Sequence, residues 1–227
     1  MADSTVVSTR KPAFASDSGT ARYYDRRAPD YDDWYTGMGR YAASDRPGWD
    51  DEVEQLVGLV RALSPARTID IACGTGFLTR YLSGTVVGLD QSDAMIRMTR
   101  SRLWSGPVLV GDALAVPVGD RTFDRVFTGH FYGHLPPGER RTFLAEVRRV
   151  AGELVVADSA RRDGGPADDW QERELPDGSR HWIFKRYLGG DQLASEIGGQ
   201  VLMAGRWFVA ARVAWQDGVE MSAVGGA

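Results

Sequence analysis

Thr68-Ile69-Asp70-Ile71-Ala72-Cys73-Gly74-Thr75-Gly76-Phe77-Leu78-Thr79-Arg80-Tyr81-Leu82 reads as a short buried strand, a glycine turn and an amphipathic helix. Val86-Val87-Gly88-Leu89-Asp90 follows as a second apolar run and ends on a carboxylate. Glycine belongs where the backbone turns with positive φ or where a ligand must approach closely. A carboxylate at the end of the next strand can accept from both hydroxyls of a ribose. Together the two runs predict the first crossover of an α/β sheet, with a nucleotide-like ligand at its carboxyl edge.

Which ligand follows from what the stretch lacks. A dinucleotide site carries a third glycine three residues after the second, so that helix and strand pack closely behind a pyrophosphate; here that position is Thr79. The carboxylate also comes early, 14 residues after Gly76, where a dinucleotide fingerprint wants about 20. No Gly-Lys-Ser/Thr phosphate loop is present. A cofactor with a ribose and no phosphate fits better, which points to S-adenosylmethionine.

Farther along, the chain resembles the class I S-adenosylmethionine-dependent methyltransferases. Asp70-Ile71-Ala72-Cys73-Gly74-Thr75-Gly76 is similar to their first motif, and Asp90-Gln91-Ser92-Asp93-Ala94-Met95 to their acidic loop. Gly111-Asp112-Ala113 is similar to the third motif, and Phe123-Asp124-Arg125-Val126-Phe127 to the strand after it. The resemblance covers roughly residues 22–160, and within the family it is to the small natural-product type that serves secondary-metabolite and antibiotic biosynthesis. It implies that the backbone around Ala72 and Gly74 lines the methionine portion and that Gly76 belongs to the same cofactor turn, with Asp70 ordering that turn or helping to hold the ammonium group. Asp90 and Gln91 would take the ribose hydroxyls and Met95 the adenine face. Asp112 would accept from the adenine amine, beside the Ala113 amide. The tyrosine-rich entry, with Tyr24 and Tyr31, would fold over the cofactor, although the same tyrosines also read as the core face of an ordinary amphipathic helix.

At 227 residues, 43% apolar and 26% charged, the chain suits one domain with an elaboration. The net charge is −4 and no run of basic residues is long, which argues against nucleic acid as a partner. The single cysteine, Cys73, excludes an internal disulfide and reads as a small buried side chain. Residues 1–20 read as a disordered arm without the apolar core of a signal peptide, and 216–227 as a frayed tail. No run reaches the length of about 20 apolar residues that spans a bilayer. A cytoplasmic protein is expected, monomer or homodimer, whose partner is a small-molecule acceptor rather than a membrane.

The periodicity predicts a Rossmann-like, seven-stranded, mostly parallel sheet with helices on both faces. Val53, Leu56, Val57, Val60 and Leu63 mark a helix beneath the sheet. Strands are expected at 68–73, 86–90, 107–111, 124–130, 153–158, 201–204 and 207–215, and helices at 76–83, 93–102, 139–150 and 190–197. Tyr24, Ala28, Tyr31 and Tyr35 share one helical face in an N-terminal helical cap that Pro29 splits. Pro176-Asp177-Gly178 marks the turn of a β-hairpin lid at about 168–188, inserted within a single domain spanning 21–215.

Methyl transfer asks mainly for alignment of nucleophile, methyl and sulfur; a base is needed only where the acceptor must lose a proton. The candidate catalytic residues are His130 and His134, since imidazole suits general-base work near neutral pH. Tyr132 could position an acceptor, and Asp158 is a further acceptor-site candidate. Arg186 and His181 could meet an anionic substrate, or sit on a solvated face. Two histidines four residues apart fall short of the three ligands a metal site needs, so no metal is expected. No Asn/Asp-Pro-Pro-Tyr/Phe motif follows the fourth strand; within the resembled family that argues against amide or adenine-amine methylation. The function expected is methyl transfer from S-adenosylmethionine to an oxygen, nitrogen or carbon of a secondary metabolite or sugar, releasing S-adenosylhomocysteine. The rivals are a pericyclase, cyclase or decarboxylase that binds the same cofactor, and a non-enzymatic regulatory subunit.

Overall fold

The strands that carry the predicted crossover lie side by side in the centre of one sheet. The structure, a computed structural model, describes residues 18–103, 106–165 and 168–215. β1 (Ala66–Ile71) is flanked by β2 (Gly84–Asp90) and β4 (Phe123–Gly129), both parallel to it. β3 (Val108–Val110) extends the sheet beyond β2, and β5 (Ala151–Ser159) extends it beyond β4. β9 (Phe208–Ala214) runs antiparallel to β5, and β8 (Gln200–Ala204) antiparallel to β9. The order β3-β2-β1-β4-β5-β9-β8 gives the seven-stranded, mostly parallel sheet that the pattern predicts.

Strand side chains alternate between two faces, and both faces are covered. Ile69, Ile71, Leu154 and Val156 pack on one side with Phe143 and Val147 of α5 (Pro137–Val150) and Leu193 and Ile197 of α6 (Gly190–Ile197). Phe127, Val155, Ala157 and Ala210 pack on the other with Leu56, Val57 and Val60 of α3 (Trp49–Ala62). The carboxylate of Glu52, in the first turn of α3, accepts from the backbone N–H groups of Arg206, Trp207 and Phe208 at 2.8, 2.9 and 3.2 Å. That clamp ties the start of β9 to the helix.

The helix expected at 76–83 is only one 3₁₀ turn, Thr79–Tyr81. Tertiary contacts overrule its periodicity: Thr79 donates its hydroxyl to Asp70 at 2.6 Å, and Phe77 stacks on Tyr35 with centroids 3.9 Å apart. The chain then re-enters the sheet at Gly84, too soon for a second turn. Gly84 has φ +97, and a Cβ there would meet the Ala66 carbonyl oxygen at 2.3 Å. Gly84→Ala should therefore destabilise by about 1–3 kcal/mol, as overpacking does, lowering the urea midpoint with an unchanged denaturant slope.

The N-terminal segment folds as α1 (Ser18–Arg27), a 3₁₀ turn at Ala28–Asp30 and α2 (Asp33–Thr36), with Pro29 at the break. α1 begins inside the stretch expected to be an arm; the rest of that arm and the tail lie outside the described residues. The break also separates tyrosines that one continuous helix would have aligned. Tyr24 and Tyr31 stay together, with centroids 6.2 Å apart, whereas Tyr35 turns into the core against Phe77. Asp25 fastens α1 to the loop after β2, accepting from Ser92 Oγ at 2.6 Å and from the Ala94 N–H at 3.0 Å. β6 (Asp169–Glu174) and β7 (Arg180–Lys185) form a separate two-stranded hairpin. It meets α1 through an Arg26–Asp177 ion pair at 3.1 Å and the rings of Tyr23 and His181.

Candidate active site

Two neighbouring strands stop on backbone that L-residues rarely adopt. Ala72, just past β1, has φ +60, and His130, just past β4, has φ +58. Strain of this kind persists where the surrounding structure over-determines it, and it gathers at functional sites. These strand ends lie where the sheet order reverses, the place where open α/β sheets bind ligands. A cleft of about 490 Å³ opens there, and both residues line it.

Gly74, with φ +57, bends the chain beneath the cleft, and its N–H donates to Asp90 Oδ2 at 2.9 Å. Asp90 Oδ1 accepts from the Ser92 N–H, also at 2.9 Å. Burial pushes the Asp90 carboxyl up to about 6, against the lowering effect of its backbone hydrogen bonds. Ser92 caps α4 (Asp93–Arg102) by accepting from the Met95 N–H at 3.1 Å, which holds Met95, 1% exposed, in the cleft wall. Gln91, Ala113, Tyr24, Tyr31 and His134 complete the expected residues that line this cleft.

Asp70 lies one pocket deeper, 2% exposed, in a recess shared with Tyr31, Tyr35 and Gly74. One of its oxygens takes the Thr79 hydroxyl; the other, Oδ1, is buried with no hydrogen-bond partner. Burial raises this carboxyl to about 8. An arriving cation would supply the missing donor. Gly76 and Asp112 stand apart from the cleft lining. A Cβ on Gly76 would meet Thr99 Cα at 3.1 Å, so this glycine serves helix-to-turn packing. Asp112 accepts from the Leu114 N–H at 2.8 Å, while its neighbours Gly111 and Ala113 reach the cleft. Cys73 is buried, and burial pushes its thiol well above the ordinary value.

A second chamber, about 1060 Å³, adjoins the cleft under α1 and the hairpin. Tyr24, Tyr31, His130 and His134 line both spaces. His134 lies 2.6 Å from the Phe184 carbonyl through Nδ1. A carbonyl only accepts, so Nδ1 carries the proton and Nε2 is left as a base. Burial first, then Lys185, hold His134 well below its ordinary pKa. His130, 7% exposed, has no hydrogen-bond partner on either ring nitrogen, and burial lowers it to about 4. The rings of Trp34, Tyr35 and Phe208 surround it.

Three expected acceptor contacts are instead structural. The Tyr132 side chain is 1% exposed and donates to Glu196. Asp158 is wholly buried; burial pushes its carboxyl up, but Lys185 and the two histidines hold it below the ordinary value. It accepts from the Gly133 and Ser159 N–H groups and from Lys185. Arg186 is buried in ion pairs with Glu196 and Asp168. His181 lies on the hairpin beside Tyr23, outside the chamber lining. The sequence reading missed Arg27, Arg46, Arg162, Arg173 and Lys185 as chamber residues. They come from four separate segments without a shared motif, so no local pattern could have assembled them. Among the described residues no cluster of three His, Cys, Asp or Glu side chains could hold a metal ion, and no helix is long and apolar enough to cross a membrane.

Residues 69–153 match the family model of a methyltransferase domain. The chain is 34% identical over 111 residues to the demethylmenaquinone methyltransferase of Thermotoga maritima, a match covering 45% of this chain and 48% of that protein. It spans about half the length of the curated relatives it matches. Among solved structures, DhpI in complex with SAH superposes with a TM-score of 0.69 at 24% identity, over 88% of this chain and 97% of that one. The [4+2]-cyclase SpnF superposes with a TM-score of 0.57 at 21% identity, over 86% and 77%. The chain therefore has the Rossmann-like fold of the S-adenosylmethionine-dependent methyltransferases, and its residues 69–153 resemble a methyltransferase domain.

Proposed function

We propose that the protein transfers a methyl group from S-adenosylmethionine to a small-molecule acceptor. One observation carries this reading: the cleft and the larger chamber meet at a wall of Tyr24, Tyr31, His130 and His134. A cofactor in the first space would present its reactive end to an acceptor in the second, which is the alignment that methyl transfer needs.

The residues present fit this cofactor. The unpartnered Asp70 oxygen offers an acceptor for the ammonium group, and Asp90 offers a carboxylate for the ribose hydroxyls. Met95 gives an apolar surface for the adenine, and Gly74 leaves the turn open beside Tyr31. When bound, the cofactor supplies an electrophilic methyl whose bond electrons return to sulfur as an acceptor lone pair forms the new bond. The chain's own part is to align the two partners and to exclude water with the tyrosine-rich roof. Where the acceptor begins protonated, His134 Nε2 takes the proton while the Phe184 carbonyl fixes the ring.

Isothermal calorimetry tests the cofactor assignment. Binding of S-adenosylmethionine and S-adenosylhomocysteine at micromolar level is expected, with none for NAD; NAD binding without either sulfur ligand would sink it. Acceptor-dependent formation of S-adenosylhomocysteine separates methyl transfer from the cyclase, decarboxylase and regulatory readings. The named relative is a demethylmenaquinone methyltransferase, and the natural-product acceptor expected from the sequence remains our proposal alongside it.

A further inference from the structure

The acceptor chamber is cationic in a protein whose net charge is −4. Arg27, Arg46, Arg162, Arg173 and Lys185 line it, and among the described residues no aspartate or glutamate does. A cavity lined by charges of one sign focuses the field onto whatever enters. Within the methyltransferase-like fold proposed to act on a small molecule, we infer that the acceptor carries an oxyanion group, a carboxylate or a phosphate, seated against these arginines. This inference rests on the methyl-transfer reading and names its substrate class.

How each cation is partnered separates a built site from chance crowding. Lys185 is neutralised from behind by Asp158 at 2.8 Å. Arg27 is only 6% exposed, yet its Nε has no hydrogen-bond partner, and Asp30 stands 3.7 Å away. Its other contacts are the Tyr41 hydroxyl at 3.5 Å and the Tyr31 ring. An arginine cannot shed its proton when buried, and a buried charge without a full partner is costly. An oxyanion would supply the acceptors that Arg27 lacks.

The other arginines make their direct contacts with neutral groups, although the Asp50 carboxylate acts on Arg46 through space. Arg46 lies 3.8 Å over the Trp49 ring and donates to the Trp34 carbonyl; Arg162 lies 4.2 Å over Trp207; Arg173 donates to the Gln171 amide oxygen. Among the described residues no carboxylate pairs with these three. The guanidinium fork matches carboxylate and phosphate oxygens two at a time. All five cations lie outside residues 69–153, the span that matches the methyltransferase-domain model. The shared domain thus covers much of the cofactor cleft, while the cations that select the acceptor come from segments that this family match does not cover.

The test uses the full chain saturated with S-adenosylhomocysteine, titrated calorimetrically with inorganic phosphate, with benzoate and with neutral 2-methyl-1,4-naphthoquinone. Saturable binding of phosphate or benzoate is expected, weakening as salt rises. Phosphate alone identifies a phosphate-type acceptor, benzoate alone a carboxylate. Arg27→Gln and Arg173→Gln should each weaken the anion at least about tenfold, the worth of one charge-assisted hydrogen bond. Arg67→Gln, which alters an exposed pair with Asp124 at the amino end of β1, should change nothing. If Arg27→Gln does not fold, Arg173→Gln decides. Binding of neither anion to the loaded protein, or of the naphthoquinone alone, overturns the inference while leaving methyl transfer standing, as would anion binding undiminished in the chamber variants. Failure to bind S-adenosylhomocysteine at the outset would instead overturn the function itself.

Discussion

Replacing His134 with alanine is expected to lower acceptor-dependent turnover about 10²–10⁴-fold, the range lost when a general base is removed. Affinity for S-adenosylhomocysteine should stay nearly unchanged, because that energy is assigned to Asp70, Asp90 and the glycine turn. The pH profile carries the same argument with a definite sign. Neutral imidazole is the form that accepts a proton, so base activity is present above the pKa and lost as pH falls through it. An ordinary histidine would lose activity around pH 6.5. Burial and Lys185 move His134 well below that, and burial takes His130 to about 4. Turnover should therefore stay level from about pH 8 to about pH 6 on the histidines' account. A fall centred near the ordinary value, measured as initial rates of S-adenosylhomocysteine formation, would show that neither buried histidine is the base. A loss in His130→Ala with none in His134→Ala would move the role to His130. Full activity in both would leave alignment alone to account for the rate, as suits an acceptor already bearing an anionic oxygen.

Asp90→Ala should weaken S-adenosylhomocysteine binding by roughly 1.5–3 kcal/mol, the worth of hydrogen bonds to a charged group. That is about ten- to hundredfold in dissociation constant. The same carboxylate accepts from the Gly74 and Ser92 N–H groups, so its loss also loosens the turn that shapes the cleft. In the wild type, burial raises Asp90 to about 6. Ribose hydroxyls donate best to the ionised form, so affinity should be level above that pH and weaken as pH falls below it. Calorimetry on a variant shown to be folded by circular dichroism reads the first effect; the same titration at several pH values reads the second. An unchanged dissociation constant would place the ribose elsewhere.

The short apolar strands at Ile69–Ile71 and Leu154–Ala157 and the helical spacing of Val53 to Leu63 marked the sheet and a covering helix, because burial on one face or two leaves its pattern in the chain. Glycine chemistry and the early carboxylate likewise marked Gly74 and Asp90 locally, since both act within one strand–turn–strand unit. The failures are non-local. The helix expected after Gly76 gave way to the Thr79–Asp70 hydrogen bond and the Tyr35–Phe77 stack, contacts formed between separate elements. Tyr132 and Asp158 sat where an acceptor site was expected, but Glu196 and Lys185 claimed them from distant parts of the chain.

What the sequence by itself determined was the order of the strands, the glycine turn and the acid that follows it, all encoded by neighbours within about 20 residues. Only the tertiary structure decided which histidine has its ring fixed by a carbonyl, because that carbonyl belongs to Phe184, 50 residues away. It alone gathered Arg27, Arg46, Arg162, Arg173 and Lys185 around one chamber. A charge acts through space rather than along the chain, so a net charge of −4 concealed a cationic chamber until the fold brought those segments together.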